Sequence, residues 1–237
     1  MPLRFKRKVK NSDLKISVLI PTYNEEKTIK KVINEVKKVT KKYKSEIIVI
    51  NDGSTDNTPK IIKKVPKIIV INNTKNFGKG YSIRKGIKKA KGDVLIIQDA
   101  DLEYNPQDIS KLLKPFQDNS VKVVYGSRVL KNNPISHWTF NLGGRLITFI
   151  TNLLFNSKIT DEPTGYKLFR KSILKDINLN CRGFEFCPEV TAKIAKKGIK
   201  IYEVPISYNP RPVTEKKIKW YDGIAAIFYL IKYRFID

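Results

Sequence analysis

The fold class of this chain follows from the stretch Asp93-Val94-Leu95-Ile96-Ile97-Gln98-Asp99-Ala100-Asp101. So dense a run of Val, Leu and Ile predicts a strand that is covered on both faces, as in a parallel sheet. Open α/β sheets bind ligands just beyond the carboxyl ends of their strands, where Asp99 and Asp101 fall. The stretch therefore predicts an α/β fold with a candidate site at the end of this strand.

Two carboxylates one residue apart repel each other unless a positive charge lies between them. Asp99 and Asp101 are therefore candidate ligands of a hard divalent cation, Mg²⁺ or Mn²⁺, especially with a phosphate-bearing substrate. The alternative is structural, because the same side chains can cap the next helix or form a turn.

Strands and helices alternate on both sides of this stretch. In the first half, strands are predicted at 16–20, 46–50, 68–71, 94–98 and 121–125, and helices at 25–39, 57–64, 80–90 and 106–116. In the second half, helices are predicted at 141–155, 186–197 and 218–235, and short strands at 199–204 and 206–208. The alternation implies right-handed βαβ units and a mostly parallel central sheet flanked by helices.

Composition limits the classes of partner. The 237 residues are 41% hydrophobic, enough for one sizeable core, so a single domain is expected. The net charge of +25 makes nucleic acid, anionic membranes and polyphosphate substrates candidate partners. Most of the charge is Lys and Arg is scarce, which favours a solvated lysine surface or an anionic membrane over base recognition.

Targeting signals are weak. Cys181 and Cys187 have neither the spacing of a metal site nor that of a disulfide framework, so a reducing compartment is expected. The basic residues of 1–15 are not followed by an apolar segment, so no signal peptide is predicted. No apolar run approaches the ~18 residues of a membrane span, which predicts a soluble or peripheral protein.

The C-terminal segment 216–235 mixes aromatic and basic residues. This mixture is typical of a helix that lies in a membrane interface, with its rings at headgroup level and its cations toward anionic lipid. The alternative is a terminal helix that packs on the core and has a fringe of extended Lys side chains.

Three further loops follow predicted strands and carry polar groups. Asn24, Glu25 and Glu26 follow the first strand, where capping of the next helix explains them fully. Asp52 follows the second strand and can accept a hydrogen bond from a base or ribose, or form a turn. The loop 76–80 follows the third strand, where backbone N–H groups and Lys79 can approach phosphates.

Together these loops resemble the nucleotide-sugar site of the inverting GT-A glycosyltransferases of family two. The matching segments are Pro-x-Tyr-Asn-Glu at 21–25, Asp-Gly-Ser-x-Asp at 52–56, Asn-x-Gly at 76–78 and Asp-Ala-Asp at 99–101. Segments 101–103, 126–128, 161–167 and 203–206, with Arg211, narrow the resemblance to the dolichyl-phosphate mannose synthase and polyprenyl-phosphate glucosyltransferase branch. One departure is Asn51, where the family usually has a first Asp before Asp52.

The resemblance implies roles for individual residues. Pro21, Tyr23, Glu25 and Asp52 would hold the nucleoside; Asp99, Asp101 and Glu103 would surround the metal; Arg128 and Arg211 would contact phosphates, with Arg145 a weaker candidate. Asp161 belongs to a family motif and is counted with Asp99, Asp101 and Arg128 among the catalytic candidates.

The implied activity is metal-dependent transfer of a hexose from GDP-mannose or UDP-glucose to a polyprenyl or dolichyl phosphate at a membrane. The implied location is peripheral, on the cytoplasmic face. The alternative is transfer to a hydroxyl of a glycan or protein, which needs a base, with Asp161, Glu185 or Glu189 as candidates. Nucleic acid is not an expected partner, because acid-bearing loops on one sheet edge repel its phosphates.

The single domain is expected to divide by task. Residues 1–130 would form the nucleotide-sugar-binding half and residues 131–212 the acceptor half. Residues 213–237 would form the basic, aromatic membrane-interface helix.

Overall fold

A computed structural model describes residues 14–135 and 137–236. The expectations for 1–15 therefore fall almost entirely outside the described residues. The strands are β1 Lys15–Thr22, β2 Lys44–Asn51, β3 Ile69–Asn72, β4 Val94–Ile97, β5 Val123–Ser127, β6 Lys167–Arg170 and β7 Ile201–Pro205. The helices are α1 Ile29–Thr40, α2 Thr58–Lys63, α3 Lys79–Lys89, α4 Ile109–Leu112, α5 Trp138–Phe155, α6 Lys171–Lys175, α7 Phe186–Lys196 and α8 Trp220–Phe235.

The seven strands form one sheet in the order β3-β2-β1-β4-β6-β5-β7. β1, β2, β3 and β4 are mutually parallel, β5 is parallel to β7, and only β6 runs against its neighbours β4 and β5. The predicted mostly parallel sheet is confirmed. The loops that follow β1, β2 and β4 therefore meet at one edge, and the loop that precedes the reversed β6 joins them there.

Helices cover both faces of the sheet. Val18 and Ile96 face a core shared with α1, whereas their neighbours Leu19 and Ile97 face a second core shared with α3 and α7. Successive side chains of a strand point to opposite faces, so a strand between two cores must be apolar throughout. This explains the dense run at 94–97 that predicted the fold.

The first differences between prediction and structure concern one helix and one strand. The helix predicted at 106–116 is the short α4 between two 3-10 turns, Pro106–Asp108 and Lys114–Gln117. Pro115 has no backbone N–H to donate, so a regular helix is not maintained there. The four-residue β6 was not predicted, because a strand so short leaves little alternation to read.

The second half differs more. The strand predicted at 206–208 is wrong, because β7 ends at Pro205 and Tyr208 makes only an isolated bridge to Tyr104. α5 begins earlier than predicted, at Trp138, where His137 accepts a hydrogen bond from the N–H of Thr139. α8 begins at Trp220, so 213–219 are not part of the C-terminal helix. No helix within the described ranges is long and apolar enough to cross a membrane.

Candidate active site

One cleft of about 1300 Å³ lies at the edge where these loops meet. It brings together the predicted site residues Pro21, Tyr23, Glu25, Asp52, Lys79, Asp99, Asp101, Glu103, Arg128, Arg145, Asp161 and Arg211. The sheet order explains this, because the loops after β2, β1 and β4 and the loop before β6 belong to four adjacent strands. Glu185 and Glu189, the other two candidate bases, are not among the residues that line the cleft.

Asp99 is held by a cation and by a close backbone approach. Lys79 Nζ lies 2.5 Å from Asp99 Oδ1, and both side chains are mostly buried. A β-carbon at position 165 would collide with Asp99 Oδ2, so Gly165 leaves the space that this carboxylate occupies. The ion pair raises the pKa of Lys79 despite burial, so the lysine remains a cation beside the acid.

Asp101 is short of positive charge. Burial, and then the nearby charges of Asp99 and Glu103, raise the pKa of Asp101 to about 7. Arg211 opposes this shift by donating from Nη2 to Asp101 Oδ2 at 3.0 Å, but it does not cancel it. The turn that carries the acid is itself unusual, because Leu102 adopts a left-handed φ of 65°.

The acid pair fits a divalent cation that is shared with a substrate. No group of three acidic, His or Cys side chains in the described ranges is arranged to hold a metal alone. Mg²⁺ in enzymes is often held by one or two carboxylates plus substrate phosphates. Asp99 and Asp101 are oxygen donors of this kind, and the pKa of Asp101, raised first by burial and then by Asp99, shows that the two carboxylates are close enough to repel each other.

Glu103, the third predicted metal ligand, is engaged elsewhere. Its Oε2 accepts from the Tyr208 hydroxyl at 3.0 Å, and its Oε1 accepts from the Arg211 N–H at 2.8 Å. Lys216 Nζ lies 3.2 Å from the same Oε1. Glu103 therefore anchors the segment that follows β7, and its role as a third metal ligand beside Asp99 and Asp101 stays a prediction.

The segment that follows β7 places three cations beside the carboxylates of Glu25, Asp101 and Glu103. Arg211, Lys216 and Lys217 are called here the cationic strap. Lys217 Nζ lies 2.7 Å from Glu25 Oε1 and also donates to the carbonyl of Tyr23, while Arg211 Nη1 lies 3.2 Å from the same carboxylate. The two lysines were assigned by sequence to a membrane helix, whereas the structure turns them into the cleft.

Asp52 is used by its own loop. Its Oδ1 accepts from Asn73 Nδ2 at 2.7 Å and from the Phe77 N–H at 3.1 Å, and its Oδ2 accepts from the Gly78 N–H at 2.8 Å. The carboxylate lines the cleft but primarily fixes the chain between β3 and α3. Its predicted contact with a base or ribose stays a prediction.

Three of the five backbone N–H groups at 76–80, which were predicted to approach phosphates, already bond within the chain. The N–H groups of Phe77 and Gly78 bind Asp52, and those of Gly80 and Tyr81 donate to the carbonyls of Gly183 and Arg182 at 3.1 and 2.9 Å. A β-carbon at Gly78 or Gly80 would collide with these carbonyls. The glycines therefore serve a close packing of chains, and Lys79 alone reaches toward the acids.

Arg128 and Asp161 form a tight pair in another part of the cleft lining, called here the Arg128–Asp161 wall. Arg128 Nε and Nη2 donate to Asp161 Oδ2 and Oδ1 at 2.8 and 2.6 Å, and the backbone N–H of Arg128 also donates to Oδ2 at 2.8 Å. Burial opposes ionisation, but the guanidinium prevails and lowers the pKa of Asp161. The Tyr208 ring lies 5.3 Å from the same guanidinium.

The three candidate bases are poorly suited to proton abstraction. Asp161 is a weakened base because Arg128 holds it ionised. Glu185 Oε1 accepts from the N–H groups of Arg182 and Gly183 at 3.0 and 2.9 Å. Glu189 accepts from two backbone N–H groups, from Lys193 and from Tyr233, and its pKa is lowered as well.

An apolar surface adjoins the cleft. α5 and α8 pack on each other through Ile147, Ala226 and Leu230. Their outer faces expose large apolar residues at helical spacing: Trp138, Leu142, Leu146, Phe149 and Leu153 on α5, and Trp220, Ile224, Phe228, Ile231 and Phe235 on α8. Leu153 is 71% exposed and Phe228 is 60% exposed. A contiguous apolar surface of this kind marks a site of contact with lipid or protein.

Comparisons with known proteins agree with this geometry. Residues 17–178 match the model of glycosyl transferase family 2. The UDP-N-acetylglucosamine–dolichyl-phosphate N-acetylglucosaminyltransferase of Methanococcus voltae is 35% identical over 221 residues, which cover 82% of this chain and 86% of that protein. The dolichol-phosphate mannosyltransferase of Pyrococcus furiosus is 30% identical over 232 residues, which cover 93% of this chain and 64% of that protein.

The fold is also shared with a solved structure. Glucosyl-3-phosphoglycerate synthase from Mycobacterium tuberculosis, in complex with Mn²⁺, uridine diphosphate and phosphoglyceric acid, has a TM-score of 0.71. It is 19% identical, over 94% of this chain and 80% of that one, and so supports the GT-A fold alone. The family model spans more than half of the chain. The chain therefore belongs to glycosyl transferase family 2 and is a glycosyltransferase.

Proposed function

We propose that the protein transfers a sugar from a nucleotide sugar to a polyprenyl or dolichyl phosphate, with inversion and with the help of Mg²⁺ or Mn²⁺. The observation that carries the proposal is the cleft itself. Its acid pair and several inward-facing cations are suited to a diphosphate and a second phosphate, and it adjoins an exposed apolar surface suited to a lipid.

The nucleoside end of the donor is assigned to the loops after β1 and β2. Tyr23 offers a ring, and Glu25 and Asp52 offer acceptor oxygens. The diphosphate is assigned to the space beside Asp99 and Asp101. A bound divalent cation there would act as a Lewis acid that stabilises the departing nucleoside diphosphate.

Cations of the chain would hold the phosphates. Lys79 lies beside Asp99, and the buried Nε–H of Arg211 has no hydrogen-bond partner among the described residues. Arg128 is fixed by Asp161 and remains a quarter exposed, so it can present its free edge to an anion. These groups orient the donor and the acceptor for displacement, and such positioning supplies a large part of the rate.

A phosphate acceptor agrees better with the site than a hydroxyl does. A lipid phosphate is already anionic and needs no strong base, whereas a hydroxyl must lose its proton to a nearby group. Asp161, Glu185 and Glu189 are all held by donors or cations. The structure thus favours the first of the two acceptors that the sequence left open.

The acceptor lipid would approach along α5 and α8. We assign to their exposed apolar faces a shallow seat in the membrane, with the Lys-rich surface drawn to anionic headgroups on the cytoplasmic side. Replacing Phe228 by Ser should lower binding to anionic vesicles about 30-fold, since burial of one such ring is worth about 2 kcal/mol. Glu35→Gln on α1 is the control. Equal binding by both variants would contradict the proposed membrane contact of α5 and α8.

The decisive assay is a donor panel with polyprenyl phosphate. Radiolabelled GDP-mannose, UDP-glucose and UDP-N-acetylglucosamine are each incubated with the lipid, with Mg²⁺ or Mn²⁺ and with a chelator. A labelled lipid that forms with one donor and disappears with the chelator is expected. Transfer to a free glycan but not to the lipid phosphate would overturn the proposal in favour of a hydroxyl acceptor.

A further inference from the structure

Glu162 is a fully buried carboxyl in the wall of the cleft whose oxygens lack partners. It is 0% exposed, it lines the cleft, and neither Oε1 nor Oε2 accepts a hydrogen bond within the described part of the chain. Burial raises its pKa. A buried polar group without partners costs free energy that a bound ligand with donors can recover.

The surroundings hold Glu162 in place and engage its carboxyl group only weakly: Lys167 and the Thr191 hydroxyl act against the rise of its pKa, but the Thr191 hydroxyl hydrogen-bonds the Tyr125 hydroxyl at 2.9 Å. Its backbone N–H donates to the Thr148 hydroxyl at 3.0 Å. Lys167 is a nearby cation, but its Nζ lies 3.9 Å from Oε1 and donates to the backbone carbonyl of Glu162 at 2.6 Å. The same Nζ lies 3.7 Å from the centre of the Tyr125 ring. Lys167 thus balances charge nearby and leaves both carboxyl oxygens free to accept.

The sheet order gives Glu162 a place along the donor. Adjacent strands in the order β2, β1, β4, β6 bring to the edge Asp52, Tyr23, Asp99 and, just before β6, Glu162. Cys187 lines the same cleft, and its pKa responds to Lys79 and Asp99 as well as to Glu162 and Lys167, so both groups lie near this one side chain. A donor with its nucleoside at the first two strands and its diphosphate at Asp99 would carry its sugar toward Glu162.

We propose that Glu162 is a sugar-binding residue that accepts hydrogen bonds from hydroxyl or amide N–H groups of the donor's sugar ring. The inference rests on the proposed function and adds the determinant of sugar specificity. A neutral, hydroxyl-rich ring supplies the donors that the buried carboxyl lacks. A site built to receive a hydroxyl rejects an analogue without it, because the buried group is then left unpaired.

The test compares the nucleotide sugar with its nucleoside diphosphate. Isothermal titration is carried out with the donor that supports transfer, and with the matching nucleoside diphosphate, on wild type, Glu162→Gln and the control Glu35→Gln. Glu162→Gln should weaken the nucleotide sugar about 10-fold or more and leave the nucleoside diphosphate unchanged. The KM for the donor should rise by a similar factor.

Deoxy analogues of the sugar sharpen the test. Removal of the contacted hydroxyl should weaken binding about 10-fold in wild type and hardly at all in Glu162→Gln. Should Glu162→Gln not fold because Lys167 loses its counter-charge, the volume-matched double variant Glu162→Gln/Lys167→Met replaces it.

The outcomes separate the two proposals. Equal weakening of nucleoside diphosphate and nucleotide sugar, or no weakening of either, would overturn the role of Glu162 and leave the proposed function intact. A wild-type protein that binds no nucleotide sugar would overturn the proposed function and this inference with it.

Discussion

The two walls of the cleft both pair an aspartate with an arginine, and the pairs behave in opposite ways. Asp161 receives three hydrogen bonds from Arg128, and its pKa falls. Asp101 shares Arg211 with Glu25 and Glu103 and lies near Asp99, and its pKa rises to about 7. An arginine stabilises the charge of a carboxylate that it serves alone, and does much less for one that it must share.

The contrast distinguishes a pair that stabilises the structure from a pair that is suited to bind a substrate or an ion. The Arg128–Asp161 wall is satisfied within the chain and presents a fixed guanidinium to the cleft. At the Asp99–Asp101 wall the cations pair mainly with the neighbouring carboxylates, and buried Asp101 keeps only a share of Arg211. Perturbed groups of the second kind are the ones expected to meet a substrate or an ion.

The largest expected effect is on activity at the Asp99–Asp101 wall. Asp101→Asn should lower sugar transfer on the order of 100-fold or more, because it removes a ligand of the proposed cation. Its stability should stay level or rise, since the substitution relieves repulsion from Asp99 and Glu103. Transfer assays and urea unfolding measure the two. Full activity in this variant, with Glu35→Gln as control, would contradict the metal role.

At the Arg128–Asp161 wall, the main expected effect is on the free energy of unfolding. Arg128→Met leaves Asp161 buried without its cation and should cost about 3 kcal/mol in the free energy of unfolding. Lys38→Met on α1 is the matched control, because Lys38 pairs with Glu35 at 2.7 Å and the two side chains are 71% and 28% exposed, so a much smaller loss is expected. Similar losses in both variants would show that the two pairs do not differ as described.

Metal binding should distinguish the walls in the same melting experiment. With nucleoside diphosphate present, saturating Mn²⁺ should stabilise wild type by about 2 kcal/mol, which is roughly 5 °C for a chain of this size. A chelator should reverse the shift. The shift should vanish in Asp101→Asn and persist when the Arg128 side is altered, provided that the latter variant is folded at the start of the scan. A shift retained in Asp101→Asn would place the ion elsewhere.

The smallest effect is the pH dependence of stability at the satisfied wall. The pKa of Asp161 is lowered in the folded state from the ordinary 3.8, so its contribution is present above that value. It is lost as the pH falls through the lower, folded-state pKa. Wild type should therefore lose stability more steeply than Asp161→Asn as the pH falls below 3.8. Parallel curves for the two proteins would contradict the assigned shift.

The sequence predicted the edge of the sheet better than the contacts made there. Strand-end loops after β1, β2 and β4 were placed correctly because buried strands leave a strong apolar signal. The partners of Asp52 and Glu103 were not, because hydrogen bonds to loops distant in sequence leave no local pattern. Lys216 and Lys217 were assigned to lipid for the same reason, since their acidic partners lie more than 100 residues away.

Glu162 shows another limit of sequence reasoning. It lies within a recognised motif but was given no role, because nothing in the order of residues reveals that a carboxyl will be buried without donors. The short β6 that positions it was also missed. Both facts depend on tertiary packing against α5 and the neighbouring strands, which only the fold supplies.

Gly165 limits the substitutions that the cleft can accept. Its missing β-carbon leaves room for Asp99 on one side and for the Tyr104 ring on the other, and its N–H donates to the Tyr104 hydroxyl at 2.8 Å. Even alanine at this position would bring its β-carbon too close to the Asp99 carboxylate and the buried Tyr104 ring, so both would have to move. A methyl group at position 165 should therefore lower the activity that depends on Asp99. Attempts to redesign donor choice should leave this position unchanged.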